Sequence, residues 1–225
     1  MKAPKLRYMR AQNVAQVLNL LSEFGDGACI LAGGQSLMPA LNMRLSQPDL
    51  LIDINRLDAL KRISLDDGMV RIGALARHAE VLRSPIMAEH LPLIVEAMPH
   101  VAHVAVRNRG TFGGSIALAD PSAELPACVL ALDATIVVES TRGRRRIAAD
   151  DYFKGLFETE RKPDELLIEV RIACRKPNVV HAFMELSRRQ GDFAIAGLAC
   201  ELNIDGDTVA AAQLVYFASE DRPTS

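Results

Sequence analysis

Two runs of small residues, each behind an apolar stretch, restrict the folds open to this 225-residue chain more than any other feature. Ala32-Gly33-Gly34-Gln35-Ser36 follows Ala28-Cys29-Ile30-Leu31, and Gly110-Thr111-Phe112-Gly113-Gly114-Ser115 follows Val104-Ala105-Val106. Paired glycines behind a buried strand let the chain turn tightly and bring its N–H groups against a ligand with no side chain in the way. Ser36, Thr111 and Ser115 add hydroxyls that donate to phosphate oxygens. Two such turns predict a ligand held from both sides, and a long diphosphate cofactor has the required shape.

The commonest owners of such turns do not fit. No Lys-Ser or Lys-Thr follows the glycines, as a P-loop requires. Neither run has the G-x-G-x-x-G spacing of a dinucleotide-binding βαβ unit. A diphosphate would therefore be held by backbone nests and hydroxyls without a lysine.

Around the first turn, Val14, Val17, Leu18, Leu21 and Phe24 share one face of a helix predicted over residues 12–24 and stopped by Gly25. Strands over 28–31 and 50–54 and a helical turn over 36–45, with Pro39 in its first turn, complete a β-α-β-α-β unit. Beyond Asn55 come hairpins turned at Asp66-Asp67-Gly68 and Arg142-Gly143, helices over 78–83, 85–98 and 125–132, and a strand over 165–172. Near Lys176-Pro177 a new unit begins, with strands over 180–189, 198–204 and 208–218. Alternating strands and helices with antiparallel hairpins argue an α+β fold.

Other chemistries find little footing. Cys29, Cys128, Cys174 and Cys200 form no CxxC pair, and Cys29 and Cys128 lie in apolar runs that predict buried, reduced thiols. The five histidines contain no H-E-x-x-H, so no metal ligand is assigned. A net charge of −2 gives no reason to invoke nucleic acid. No apolar run reaches membrane-spanning length and the N-terminal residues lack a signal-peptide core, so the expectation is a cytoplasmic protein. Arg142-Gly143-Arg144-Arg145-Arg146 is expected to be a solvated hairpin tip. Asp120 caps a turn before Pro121 or contacts a ligand; Glu124 is a first-turn acid or reaches ribose hydroxyls or an adenine edge. Arg107 and Arg109 serve structure or contact an anion.

Ala32-Gly33-Gly34-Gln35-Ser36-Leu37-Met38-Pro39 and Arg107-Asn108-Arg109-Gly110-Thr111-Phe112-Gly113-Gly114-Ser115 resemble the paired FAD signatures of the flavoprotein (medium) subunits of molybdenum hydroxylases, the carbon monoxide dehydrogenase and xanthine dehydrogenase group. Ile52-Asp53-Ile54-Asn55, Ile72-Gly73-Ala74-Leu75, Ala119-Asp120-Pro121 and Arg188-Arg189-Gln190-Gly191-Asp192-Phe193-Ala194-Ile195-Ala196 occur in the family's order. The resemblance implies a vanillyl-alcohol-oxidase-like (PCMH-type) FAD fold: subdomains over residues 1–55 and 56–175, then the start of a small α+β C-terminal domain over 176–225. That domain normally continues further, so it is expected to be truncated here.

By the same resemblance, Leu31, Ala32, Gly33, Gly34, Gln35, Ser36 and Leu37 contact FAD, as do Gly110, Thr111, Phe112, Gly113, Gly114 and Ser115. The diphosphate would lie between the two turns. Asp120 joins the set, Glu124 stands where the family often has an acid near the adenosine part, Leu167 neighbours the flavin, and Glu185 stands where some relatives carry lysine. The implied role is electron transfer: from a small subunit with two [2Fe–2S] clusters, beside a molybdopterin-containing large subunit, to NAD⁺, quinone or oxygen. No side chain is assigned as a catalytic acid or base. Two rival readings are a self-sufficient flavin oxidase and a non-enzymatic nucleotide-binding module.

Overall fold

The computed structural model describes residues 2–225. β1 (Arg7–Arg10), α1 (Val14–Phe24), β2 (Ala28–Leu31), α2 (Leu37–Asn42) and β3 (Leu50–Asp53) form the expected β-α-β-α-β unit. Its strands run parallel in the order β1-β3-β2, so β3 is central and each of its residues is buried. α1 starts where the Asn13 side chain accepts the Gln16 N–H at 2.8 Å, and it buries Val17, Leu18 and Leu21. It stops at Gly25, whose φ of 49° favours a residue without Cβ.

The middle of the chain comprises β4 (Ile63–Asp66), β5 (Met69–Gly73), α3 (His78–Arg83), α4 (Pro85–His90), α5 (Pro92–Ala97), α6 (Val104–Arg107), α7 (Phe112–Leu118), α8 (Glu124–Ala131), β6 (Thr135–Ser140), β7 (Gly143–Ala148), α9 (Ala149–Tyr152), β8 (Phe153–Gly155), β9 (Glu158–Thr159) and β10 (Leu166–Ala173). Five of these strands form an antiparallel sheet, ordered β4-β5-β10-β6-β7. The first hairpin turns through Asp67 and Gly68, both at positive φ. α8 is buried on every side, Glu124 included.

Two expectations need correcting here. The helix read over 85–98 is two helices, because Pro92 has no N–H to continue α4 and instead begins α5. Val104-Ala105-Val106 is not a strand but the start of α6, with Val104 59% exposed. A short apolar run carries no period that separates strand from helix.

β11 (Val179–Ser187), β12 (Ala194–Asp205) and β13 (Thr208–Phe217) form a third, antiparallel sheet in chain order. Its inner face presents Phe183, Ala199 and Val215 to α5 and α8, and Phe183 stacks on Phe217 at 5.6 Å. Among the described residues no helix is long and apolar enough to cross a membrane.

Candidate functional site

β2 delivers the chain into the first glycine turn at the C-terminal end of the parallel sheet. Gly34 takes φ 71°, a left-handed conformation that disfavours any Cβ. At Gly33 a Cβ would stand 2.5 Å from the Arg109 carbonyl oxygen and 2.8 Å from Gly110 Cα. The two glycine runs therefore meet backbone to backbone at this point, and no ligand fits between Gly33 and Gly110. Among the described residues, the N–H groups of Gly33, Gly34, Gln35, Ser36 and Leu37 find no backbone acceptor. Consecutive free N–H groups at a turn are a nest for phosphate oxygens. Ser36 is exposed beside them, while the Gln35 side chain folds back to donate to the Gly33 carbonyl at 3.1 Å.

The second run is built differently. Gly113 and Gly114 lie inside α7, and Thr111 is its N-cap. Phe112 N–H donates to the Ala76 carbonyl at 2.9 Å, Gly113 to Ala74 at 3.0 Å, Gly114 to Thr111 Oγ1 at 3.1 Å and Ser115 to the Thr111 carbonyl at 3.1 Å. Those donors are committed within the chain, so a row of free N–H groups is found in the first run and not in the second. A Cβ on Gly113 would lie 2.6 Å from Ala74 Cα, so this glycine is required for α7 to pack on the end of β5. Phe112 is fully buried in the core, whereas Gly114 and Ser115 remain half-buried. Beneath Gly110 sits His78, whose pKa burial lowers to about 4, so a neutral ring fills that space.

Two residues outside the predicted set join these runs. Asn55 Nδ2 donates to the Ala32 carbonyl at 2.8 Å and the Leu31 carbonyl at 3.3 Å, holding the entry to the first turn. Arg77 donates to Asn55 Oδ1 at 2.6 Å and, through its other terminal nitrogen, to the Arg109 carbonyl of the second run. Asn55 is held in turn by Asp53, which also accepts from the Tyr8 hydroxyl at 2.6 Å. Burial works to raise the Asp53 pKa, but the Tyr8, Asn55 and Arg10 donors outweigh it and bring it to about 2. The sequence signal was a polar Asp-x-Asn ending an otherwise apolar strand. Nothing comparable marked Arg77.

The remaining predicted residues divide. Asp120 Oδ1 accepts the Ser122 N–H at 2.9 Å in a turn, as the capping alternative expects, and Ala123, not Asp120, is the N-cap of α8. Glu124 opens α8 with 7% exposure; burial first, then the nearby Glu185 and Asp120 charges, raise its pKa to about 7. The Glu185 carboxylate is buried with neither oxygen hydrogen-bonded, 3.6 Å from His100 Nδ1, and burial raises its pKa. Leu167 is buried on β10, the strand on which α7 packs. Arg107 is structural: its guanidinium donates to the Val101 carbonyl at 2.9 Å and the Ala102 carbonyl at 2.7 Å. The basic hairpin is not simply a solvated tip, because Arg142 pairs with Asp164, Arg144 with Glu139 and Arg145 with Glu165. Cys128 is buried and free as expected; Cys29 is free but only half-buried.

Residues 4–173 match the model of the FAD binding domain in molybdopterin dehydrogenase. The chain belongs to that family. The cofactor of the family is FAD, and the free N–H row at Gly33–Leu37 suits its diphosphate. Among its relatives is the 6-hydroxypseudooxynicotine dehydrogenase complex subunit alpha of Paenarthrobacter nicotinovorans, 44% identical over 205 residues, or 91% of this chain and 69% of that one. The carbon monoxide dehydrogenase medium chain of Hydrogenophaga pseudoflava is 38% identical over 92% of this chain and 72% of its own. A structure of the Hydrogenophaga pseudoflava carbon monoxide dehydrogenase, lacking the Mo-pyranopterin moiety of its cofactor, superposes with a TM-score of 0.97 at 36% identity, covering all of this chain and 78% of that one. These relatives are subunits of dehydrogenase complexes, and the chain shares their oxidoreductase family.

Proposed function

We propose that this chain is the FAD-binding, electron-transferring subunit of a molybdenum hydroxylase complex. It would receive electrons from the [2Fe–2S] clusters of a small partner subunit, which sits beside a molybdopterin-containing large subunit, and pass them to NAD⁺, a quinone or oxygen. The observation that carries the reading is the row of free N–H groups in the first glycine turn of a chain whose family binds FAD.

FAD, when bound, supplies a redox centre able to take up electrons singly and release them as a pair. The protein's part is to hold and orient it. In this reading Gly33, Gly34, Gln35, Ser36 and Leu37 receive the diphosphate through backbone N–H groups, with Leu31 and Ala32 leading in. Gly110, Thr111, Phe112 and Gly113 fix the shape of the neighbouring backbone, while Gly114 and Ser115 border the cofactor. Glu124, its pKa raised to about 7, would face the adenosine side, Asp120 shapes the turn before it, and Leu167 would be an apolar neighbour of the flavin. The β1-β3-β2, β4-β5-β10-β6-β7 and β11-β12-β13 sheets, one in each stretch, support the PCMH-type division into residues 1–55, 56–175 and 176–225. No side chain in this set serves as a proton donor or base for substrate.

The test is direct. Purified chain mixed with FAD should show a protein-bound flavin spectrum that bleaches on reduction, and the reduced iron–sulfur partner should bleach it as well. A chain that takes up no FAD sinks the reading. Binding without reduction by the partner would restrict it to the nucleotide-binding module.

A further inference from the structure

The geometry points to Asn55 and Arg77 as positioning residues that hold the first glycine turn open as a diphosphate cradle, an inference resting on the FAD reading above. Five free N–H groups bind an anion only if the turn keeps one shape, and glycine is the residue least able to keep a shape unaided. Gly33 and Gly34 must therefore be held from outside. Their own hydrogen bonds do little of this: within the turn the Gly33 carbonyl receives only the Gln35 side chain, and the Gly34 carbonyl only the Met38 N–H.

The external restraint is a chain of polar contacts across four segments. The Tyr8 hydroxyl on β1 and the Asn55 N–H fix the Asp53 carboxylate at the end of β3. Asp53 Oδ1 accepts Asn55 Nδ2 at 2.8 Å, setting the amide so that the same nitrogen reaches the Ala32 carbonyl. Its oxygen then faces Arg77, 2.6 Å away, just before α3. Arg77 closes the chain on the Arg109 carbonyl, the atom against which Gly33 packs. Both walls of the turn are thereby referred to one guanidinium, whose planar fork reaches two acceptors at once. Asn55 and Arg77 touch the turn only through carbonyl oxygens, so every N–H of the cradle stays free for the ligand.

The test uses the full chain and two probes, FAD and ADP, which share the diphosphate. Arg77→Met should weaken both by a similar factor, about tenfold or more, the scale of losing charge-assisted hydrogen bonds. Arg77→Lys should recover part of the loss, since it returns one donor without the fork. Asn55→Ser provides a second route to the same defect, and the double variant should lose less than the two singles multiplied, because both act on one restraint. Amide hydrogen exchange of the unliganded variants should quicken at residues 33–37 while α1 keeps its protection, a change that general destabilisation would not confine to the turn. FAD and ADP affinities within twofold of wild type in both single variants would overturn the inference and leave the FAD reading standing. Failure of the unaltered chain to bind either probe would overturn both.

Discussion

The two glycine pairs look interchangeable in the sequence and are opposites in the structure. Gly33-Gly34 ends a parallel strand, takes a left-handed conformation at Gly34 and leaves a row of N–H groups without partners. Gly113-Gly114 lies inside a helix, and its N–H groups are committed to Ala74 and the Thr111 side chain. Each pair has one glycine that lets backbone approach more closely than a Cβ allows, Gly33 on Arg109 and Gly113 on Ala74, but only the first pair keeps its N–H groups available. What separates the pairs is the fate of their donors, one row open to solvent and ligand, the other spent inside the chain.

That contrast can be broken at specific positions. The largest effect is expected at Gly33→Val, which forces side-chain atoms into the Arg109 and Gly110 backbone. Folding stability should fall by about 3 kcal/mol, and the protein that still folds should bind no FAD, read by urea denaturation and by the flavin spectrum. Gly113→Ala should come next. Its Cβ meets Ala74 Cα at 2.6 Å, so stability should drop by about 2 kcal/mol while folded molecules keep their FAD affinity. Equal loss of FAD binding per folded molecule in the two variants would erase the distinction between the pairs.

Gly114→Ala is milder, because its Cβ meets only the Thr111 side-chain oxygen. It should cost about 1 kcal/mol, the worth of the Thr111 cap. Added to Thr111→Ala, which has already lost that oxygen, it should cost almost nothing more, as a double-mutant cycle in urea would show.

A last effect concerns pH. Glu124 has its folded pKa raised to about 7 from an ordinary 4.5, so the folded chain binds the extra proton and stability should decline as pH rises between those values. Asp53 works oppositely: with a folded pKa of about 2 its contribution is complete above about 4 and is lost as pH falls toward 2. Glu124→Gln should flatten the upper slope of a stability–pH curve and leave the acid limb in place.

Much of the local structure was legible in the residues. The spacing of Val14, Val17, Leu18 and Leu21 marked α1, Gly25 its end, and Asp67-Gly68 the first hairpin, since each depends on interactions within a few residues. The first glycine turn was legible for the same reason. Val104-Ala105-Val106 was not, because three residues carry no period and only the bonds of Val106, Arg107 and Asn108 back to His103 and Val104 decide for helix. Of the site, the Gly33–Leu37 row was in plain view, while Arg77 was invisible: it lies 44 residues beyond Gly33 and acquires its role only through what it touches.

By itself, then, the order of residues determined where the backbone could turn, which faces were apolar and which family's FAD signatures the chain carries. Those properties are local, set by the absence of a Cβ and by periodicity along a few turns. Tertiary structure alone decided which of the two glycine pairs keeps its N–H groups free. A donor is free or spent according to whether a distant carbonyl, here Ala74 or Ala76, arrives within hydrogen-bonding distance.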